Sequence, residues 1–393
     1  DLVRSRGLGD VYKRQLSFKP EVILYIYMAS CIAVLIFNVL YIFADKYSGK
    51  KLERSSLSFV GKITEQTELL MEGKEPDAAH FDEMFRGLKK AENLAAFEDS
   101  MLEVRKREPE EFIDEYLKRM RGVFLRLTEV YRKRDMIEQA YFAYLVADLG
   151  IDRGRETFDG LMDFLMDMIT VRDVNARENA LRAFYSIGNK DAVLAVWRKL
   201  EDNEIYHSRK LLADGLLGFS RDRRELAELL FGHRTEFVTE LVLPILQFIR
   251  FFSGDFREEF AALLSDPNED KEIQLEAIRY FRKYPYEPVR EILQNYVRYQ
   301  EYVDWEFAAM AASALSSYPG EDTVLCLKEG LRASGWHVRL NCAEALIYGL
   351  GLSKTLLFDI YNGRDRYARE ILNYVLEKEE IRRKDREEGQ WHV

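Results

Sequence analysis

The chain has 393 residues, of which 47% are hydrophobic and 32% are charged, and it contains three cysteines. This composition excludes a disordered acidic tail, a collagen-like fibre and a disulfide-stabilised secreted domain. A formal net charge of -10 argues against a protein that coats nucleic acid, because neutralising phosphates requires a cationic surface. The chain has only eight prolines and many helix-forming residues, so we predict an all-α fold.

The first fifteen residues differ from the rest of the chain. Residues 1–15 have no hydrophobic periodicity and no initiator Met, and they resemble translated adapter sequence. We interpret them as a non-native leader and leave them out of the fold prediction.

A long uncharged stretch follows at residues 22–44. At 1.5 Å per residue, a helix of this length spans a hydrocarbon core of ~30 Å, which predicts a single transmembrane helix over residues 20–46. A cleaved signal peptide is one alternative, but its apolar part would be shorter and would end in small residues. A lipobox ending at Cys31 is another, but the sequence stays apolar after that cysteine.

The charges beside this stretch predict its orientation. Lys46, Lys50, Lys51 and Arg54 follow it, whereas Lys19 alone precedes it closely. The positive-inside rule then places the C-terminal part in the cytoplasm. We therefore expect a single-pass protein of the cell membrane, of bacterial type.

Residues 52–134 are rich in charge and in helix formers. Helical spacing of apolar residues is found over 64–71, 81–96 and 112–131. Because a helical array exposes its core at an open end, we predict that this juxtamembrane segment caps the array that follows. The alternative is a coiled-coil dimerisation segment over 112–131, although it contains fewer than four clean heptads.

A helical pattern recurs over residues 135–380 with a period of about 32 residues. Apolar residues three and seven positions after each equivalent position place one apolar face on each helix. Each unit is a helical hairpin that buries this face only by stacking on its neighbours, which predicts an α-solenoid. The equivalent positions are Arg177, Arg209, Leu241, Gln274, Phe307, Arg339 and Arg369.

Each unit is predicted to hold two helices separated by turn residues. The first helices include residues 175–184, 208–216, 272–281, 305–315, 337–346 and 367–376. The second helices include residues 191–200, 224–231, 256–264, 288–299, 322–331 and 353–361. A charged tail over residues 381–393 follows the last unit.

These units resemble the HEAT-repeat superfamily in its short form of about 30 residues. In that form an Asp or Asn precedes a helix with the pattern Val-Arg-x-x-Ala-x-x-Ala-Leu. The basic residue is absent at Leu241, Gln274 and Phe307, so those units are degenerate. The resemblance implies a structural ladder in which these residues hydrogen-bond between repeats. Its members would be Asp173, Arg177, Asn203, Arg209, Arg339, Asp365 and Arg369.

We find no catalytic or metal-binding motif in the sequence. The five histidines lack partners at helical spacing, and the three cysteines form no CxxC pair. Residues 266–277 begin like a calcium loop, but Lys271 replaces the turn glycine. Phosphate-binding, dinucleotide-binding and hydrolase motifs are incomplete or absent. We predict no cofactor, no metal site and no enzymatic activity.

A solenoid presents a long concave surface, lined by its second helices, that suits an extended peptide or the face of another protein. Because Trp and Arg dominate binding hot spots, we predict partner contacts among the polar and aromatic residues of these helices. The alternative is a solvated surface, with Trp197 packed between repeats. The predicted contacts are Trp197, Arg198, Arg224, Arg257, Arg290, Gln294, Arg298 and Lys328.

Together these features predict a membrane-anchored cytoplasmic scaffold that binds a membrane-associated protein partner. Resemblance to anchored HEAT proteins suggests an accessory subunit of a membrane glycosyltransferase or exopolysaccharide system. Two alternatives are a membrane-tethered, lyase-like enzyme with a groove site and a signalling adaptor that dimerises. A DNA glycosylase, a class that also contains HEAT-like proteins, is disfavoured because the chain is acidic. The sequence does not select a partner or an oligomeric state.

Overall fold

The computed structural model describes residues 20–389. The predicted leader over residues 1–15 and the last four residues of the predicted tail lie outside the described residues. Within the helices, the side chains outside the description are those of residues 20–24, 26, 38–48, 383 and 385–389.

All regular elements of the described residues are helical, which confirms the all-α class. Short 3₁₀ turns lie at Arg234–Glu236, Glu287–Val289 and Lys354–Leu357. The α-helices are α1 (Pro20–Met71), α2 (Ala78–Leu88), α3 (Ala91–Arg105), α4 (Glu110–Tyr131), α5 (Met136–Leu149), α6 (Gly160–Met168), α7 (Val174–Ile187), α8 (Lys190–Asp202), α9 (Arg209–Leu217), α10 (Arg223–Gly232), α11 (Thr239–Phe252), α12 (Arg257–Ser265), α13 (Lys271–Lys283), α14 (Arg290–Arg298), α15 (Trp305–Leu315), α16 (Glu321–Gly330), α17 (Trp336–Glu344), α18 (Phe358–Tyr361) and α19 (Arg366–Gly389).

Helix α1 runs for 52 residues without a break. The helix continues past residue 46, the last residue of the predicted span. The only strong helix-disfavouring residue near that point is Gly49, and one glycine costs a helix about 1 kcal/mol. None of the helices in the described residues has the length and apolarity that a membrane crossing requires. Residues 22–24, 26 and 38–44 of the predicted span lie outside the described side chains, and the transmembrane helix stays a prediction.

The chain forms two compact units, residues 1–127 and residues 128–393, and the described residues of each are considered separately. In the first unit α3 packs against α1 and α2. Its core includes Phe59 and Phe97, whose rings meet edge to face at a centroid distance of 6.1 Å. The predicted role of residues 52–134 as a cap stays a prediction.

The predicted helix over residues 81–96 is in fact two helices. Helix α2 ends at Leu88, Lys90 has an extended backbone, and α3 begins at the next residue. The Asn93 side chain donates a hydrogen bond of 2.8 Å to the carbonyl of Gly87, which satisfies an acceptor at the end of α2. This side-chain bond stabilises a break that periodicity alone does not show.

The second unit is a stack of helical hairpins. Its first helices are α5, α7, α9, α11, α13, α15, α17 and α19, and each packs against the next. The second helices α6, α8, α10, α12, α14, α16 and α18 lie between them in sequence. This arrangement confirms the helical repeat and the solenoid packing. The predicted helix 305–315 has the same bounds as α15, while the helix predicted over 353–361 is a 3₁₀ turn of four residues followed by α18, which also has four.

Acidic and amide side chains begin many of these helices. Asp135, Asp173 and Asp270 each accept a hydrogen bond from a backbone N–H in the first turn of the helix that follows. Gly150 and Gly188 end α5 and α7 in the left-handed conformation, with φ of 66° and 76°. These local signals explain why the turns fall where the sequence pattern predicts them.

The first ladder arginine braces the turn before its own helix. Arg177 is buried, at 7% exposure. Its Nε donates to the carbonyl of Ile169 at 3.2 Å, and its Nη2 donates to that of Val171 at 2.8 Å. A third, longer bond of 3.4 Å reaches the carbonyl of Tyr206, near the start of the next unit.

The later arginines do the same in the turns before their own helices. Arg339 donates to the carbonyls of Ala333 and Ser334, the second at 3.2 Å. Arg369 donates from Nη1 to the carbonyl of Gly363 at 2.8 Å. Each of these acceptors lies at the end of a second helix or in the turn between one hairpin and the next, so these bonds are made at the junctions between repeats, as the resemblance implies.

One unit that the sequence marked as degenerate keeps this bond. The side chain of Gln274 donates from Nε2 to the carbonyl of Asp266 at 2.6 Å, in the turn before its helix. The side-chain amide of glutamine can donate to one such carbonyl, and here it reaches the equivalent carbonyl in the turn. At this position glutamine therefore replaces arginine and keeps the hydrogen bond.

The remaining ladder residues have local positions. Asp173 and Asp365 cap α7 and α19 through backbone N–H groups. Asn203 follows the end of α8 and donates to the carbonyl of Lys199 at 2.8 Å. Arg209 is exposed at the first position of α9, and its role in the ladder stays a prediction.

Short polar side chains make further bonds, which join neighbouring first helices. Asn179 donates to the carbonyl of Ala140 at 2.9 Å, and Asn341 donates to that of Ala309 at 2.7 Å. Both asparagines lie two residues after a ladder arginine, so this bond also repeats with the sequence. Ser186, Ser220 and Ser317 make similar bonds to carbonyls of the preceding unit.

Candidate functional site

Two of the predicted partner contacts lie in the interior. Trp197 has no exposed surface, and its Nε1 donates to the carbonyl of Leu241 on α11 at 3.2 Å. Gln294 is 6% exposed and donates to Oγ1 of Thr323 at 3.4 Å. Their expected exposure is corrected, because Trp197 packs against α11 and Gln294 packs against α16. For Trp197 this is the packing that the alternative interpretation described.

Arg198 on α8 forms a bidentate pair with Glu236, at 2.9 Å and 3.3 Å. His233 also lies 2.6 Å from the same carboxylate. The hydrogen bond from Arg198, followed by that of His233, lowers the pKa of Glu236 to about 2. This pair joins α8 to the turn before α11.

The other predicted cations contact the following unit in the same way. Arg224 lies 3.6 Å from Asp255, Arg298 lies 3.7 Å from Glu329, and Lys328 lies 2.8 Å from Asp359. Arg290 donates to the carbonyl of Pro319 at 3.3 Å, whereas Arg257 is half-buried at the start of α12. Such surface pairs contribute about 0–1 kcal/mol each to the stability of the fold. Their main effect is to engage side chains that we expected to contact a partner. Binding at the exposed pairs stays a prediction.

An exposed row of aromatic side chains lies on a different part of the second unit. Trp305, Trp336 and Tyr367 are placed at the starts of α15, α17 and α19, one in each of three consecutive hairpins. They are 51%, 55% and 64% exposed. We call these three residues the aromatic row. The sequence analysis did not select these three residues, because the repeats were aligned on the buried face of each helix. The residues nevertheless recur in the sequence at the spacing of the repeat.

Contacts between side chains make the aromatic row continuous. The ring of His337 stacks on Trp305 at a centroid distance of 4.8 Å and meets Trp336 edge to face at 5.0 Å. The guanidinium of Arg339 lies 5.0 Å from the centroid of the Tyr367 ring. These distances suit aromatic stacking and a cation–π contact, which orient the rings before any partner arrives.

A shallow groove adjoins the row. Its volume is about 390 Å³. Tyr374 and Ile371 on α19 supply apolar surface, and the charged residues Arg339 and Glu370 also contribute to its walls. A groove with this mixture of apolar surface and a few polar groups suits a ligand that makes both kinds of contact. The lining residues are Trp336, Arg339, Tyr367, Glu370, Ile371 and Tyr374.

Titratable side chains among the described residues were compared with known kinds of metal and nucleophile sites. No group of three or more His, Cys, Asp or Glu side chains among them could hold a metal ion. Burial raises the pKa of the Cys326 thiol to about 11 and that of Cys342 further, opposite to the shift that activates a nucleophilic cysteine. Burial also lowers the pKa of His80, whose Nε2 lies 2.9 Å from the hydroxyl of Tyr116 in the first unit.

Comparisons with known proteins add little. No family model matches the chain, and no curated protein matches its sequence. Among solved structures, the chain is similar to human deoxyhypusine hydroxylase in complex with glycerol, at 16% identity and a TM-score of 0.27. The match covers 76% of this chain and 95% of that chain. A TM-score this low does not establish a shared fold, so nothing about function is taken from it.

Proposed function

We propose that this protein is a scaffold whose solenoid binds a protein partner, and that residues 22–44 anchor it in the cell membrane with the solenoid in the cytoplasm. The aromatic row carries the proposal for binding. Contiguous exposed apolar surface commonly marks an interaction site, and Trp, Tyr and Arg dominate the binding energy of protein interfaces. The resemblance of the repeats to HEAT proteins supports the same class of function.

The position of the row also supports binding. Its rings stand at the starts of successive first helices, where they leave the packed interior of the array intact. Loss of an exposed ring therefore need not disturb the fold. By contrast, the ion pairs on the second helices already occupy the surface on which we expected a partner.

Affinity capture from cell extract tests the binding proposal. The full chain in mild detergent is compared with a Trp305→Ala, Trp336→Ala double variant, and captured proteins are identified by mass spectrometry. The control is Tyr206→Ala, which removes a ring that is 70% exposed near the start of α9. We expect specific partners with the wild type and the control but not with the double variant. Equal capture by all three would refute a role for the aromatic row.

The membrane anchor has its own test. Leu35 lies near the middle of the predicted span, and an arginine there disfavours insertion by about 2.5–3.5 kcal/mol. We expect Leu35→Arg to move the protein from the carbonate-resistant membrane fraction to the supernatant. Leu57→Arg is the matched control, because Leu57 is similarly exposed on α1 outside the span, at 61% against 63%. A wild-type chain found in the supernatant would refute the anchor.

The class of partner rests on resemblance alone. An accessory role in a membrane glycosyltransferase or exopolysaccharide system predicts that subunits of such a system are among the captured proteins. Capture of an unrelated membrane protein would contradict that role and leave the scaffold proposal standing. The lyase-like enzyme and the dimerising adaptor stay predictions that no observation on the described residues favours.

A further inference from the structure

We infer that the first unit makes a second contact with the membrane, through a groove of basic side chains that binds the headgroups of anionic lipids. This inference rests on the proposed anchor and names the lipids that the anchored protein prefers. The groove has a volume of about 580 Å³ and lies where residues 54–62 of α1 meet the end of α2 and the start of α3. We call it the basic groove. Its charged lining residues are Arg54, Lys62, Glu83, Arg86 and Lys90.

Cations outnumber carboxylates in the basic groove. Lys62 lies 2.8 Å from Glu83, so these two charges balance each other. Arg54, Arg86 and Lys90 are exposed and form no ion pair with a side chain that the structure describes. The hydrogen bond of 3.3 Å from Nε of Arg86 to a backbone carbonyl leaves its charge unbalanced. The groove therefore has three unbalanced positive charges in a chain whose formal net charge is -10.

Helix α2 runs back along α1 toward the predicted span. Glu83, in the middle of α2, pairs with Lys62 of α1. Gly87, one turn later, faces the ring of Phe59, which is closer to the span. The end of α2 therefore points toward residues 22–44.

Helix α3 starts still closer to the predicted span. Glu92, in its first turn, pairs with Lys51 of α1, and Phe97 packs on Phe59. Because both helices advance together between these two contacts, α3 runs parallel to α1. The turn that carries Lys90 therefore lies at the end of the unit that faces the predicted span.

Helix geometry places the basic groove within electrostatic reach of a lipid surface. Arg54 follows the end of the predicted span by ten residues, which is about 15 Å along a helix. The headgroup layer outside the hydrocarbon core takes up about 5–8 Å of that distance. The Debye length in physiological salt is about 8 Å, so charges of the groove still attract anionic headgroups. Each Lys or Arg near such a surface strengthens binding about fivefold.

The opposite end of the first unit has the opposite charge. Residues 65–77 hold five carboxylates and one lysine. Ion pairs with Lys74 and Arg119 balance two of these carboxylates. The other three, which form no ion pair with a described side chain, are Glu65, Glu68 and Asp77. Charge is therefore polarised along α1, with the basic end toward the predicted membrane, and this complementarity selects the anionic lipid surface as the occupant of the groove.

Flotation of the full chain with vesicles tests the inference. Protein in mild detergent is mixed with phosphatidylcholine, either alone or with phosphatidylglycerol, and the detergent is then removed. Leu35→Arg weakens the predicted span, so the binding that remains reports the basic groove. We expect this variant to bind the anionic vesicles at least tenfold more tightly than the neutral ones, and to lose that preference at high salt.

Charge reversal locates the binding surface. When added to Leu35→Arg, the triple change Arg54→Glu, Arg86→Glu and Lys90→Glu should weaken binding to anionic vesicles at least hundredfold. A control with the same change in net charge reverses three lysines of the first unit outside the groove, and it should change the affinity less than threefold. Their side chains are 65%, 72% and 73% exposed, and they are Lys74, Lys106 and Lys118.

Acetylation of lysines in the wild type is a second measurement, which needs no variant. Reaction rates are followed by mass spectrometry after the protein is incorporated into the two kinds of vesicle. Lys90 should react at least threefold more slowly in anionic than in neutral vesicles, because lipid headgroups cover it. Lys74, at the opposite end of the unit, should react at the same rate in both.

Three results would overturn the inference. The first is equal binding of Leu35→Arg to both kinds of vesicle, or equal acetylation of Lys90 in both. The second is an equal loss of affinity in the groove variant and in the control, which would assign binding to net charge alone. The third is binding of inorganic pyrophosphate through the same three cations without a preference for anionic vesicles, which would assign the groove to a soluble ligand.

Failure of the inference and failure of the anchor give different results. If the wild type floats with both kinds of vesicle while Leu35→Arg binds neither, the inference is refuted and the anchor stands. If the wild type binds only anionic vesicles and the groove variant abolishes that binding, the anchor is refuted and the basic groove is supported.

Discussion

Replacement of Trp197 and replacement of Trp336 should have different effects on the stability of the protein. Trp197 has no exposed surface, whereas Trp336 is 55% exposed. A buried Trp removes about 200 Å² from water, which at about 25 cal/mol/Å² amounts to about 5 kcal/mol. Alanine keeps part of that contribution but leaves a cavity, so we expect Trp197→Ala to lower the free energy of unfolding by about 4 kcal/mol. The loss of the indole hydrogen bond to Leu241 acts in the same direction.

Urea and thermal unfolding of the full chain, followed by circular dichroism, measure this difference. A change of about 4 kcal/mol corresponds to a decrease in Tm of roughly 10 °C for a domain of this size. Trp336→Ala should change the free energy of unfolding by less than about 0.5 kcal/mol, as surface substitutions do. If Trp197→Ala cost less than about 1 kcal/mol, or if both variants were equally destabilised, the assignment of one tryptophan to the interior and one to the surface would be refuted.

Three further predictions concern residues of the interior, and urea unfolding checks each. Burial places the folded-state pKa of His80 below 6.5. Neutral His80 therefore stabilises the fold above that pH, and the contribution is lost as the pH falls through the folded-state pKa. The wild type should lose more stability than His80→Gln between pH 7.5 and pH 5.5, and an equal loss would contradict this. Arg177→Met removes three bonds to carbonyls and should cost about 2 kcal/mol, while the exposed control Arg209→Met should cost less than about 0.5 kcal/mol. Gly215→Ala would place its Cβ 2.3 Å from the ring of buried Tyr185 and should cost about 1–3 kcal/mol, so a neutral result would show that the ring moves freely.

The helical class and the register of the repeats could be predicted because both depend on local patterns. Apolar residues at helical spacing predict one buried face, and turn residues separate successive helices. The agreement between the predicted helix 305–315 and α15 shows how far this reaches. The break between α2 and α3 was missed because it depends on one side-chain bond, from Asn93 to Gly87.

The ladder shows what a sequence pattern does and does not specify. An arginine at the repeat position suggested bonds between units, and the guanidinium of Arg339 donates to carbonyls of the turn that joins the preceding hairpin to its own helix. Gln274 was set apart as a departure from the pattern and yet makes an equivalent bond. Residue type predicted that a donor was needed at this position, whereas only the folded backbone shows which acceptor lies within reach.

The sequence by itself determined that this protein is a helical repeat, because the spacing of the apolar residues in each hairpin indicates which face of its helices is buried. Only the tertiary structure decided which polar and aromatic residues remain available to a partner. Trp197 and Trp336 both lie on short helices, but Trp197 faces α11 of a later unit and Trp336 stands at the start of α17, where the ring of His337 meets it edge to face. The burial of a side chain depends on the unit packed against it, and that contact is made by residues distant in sequence.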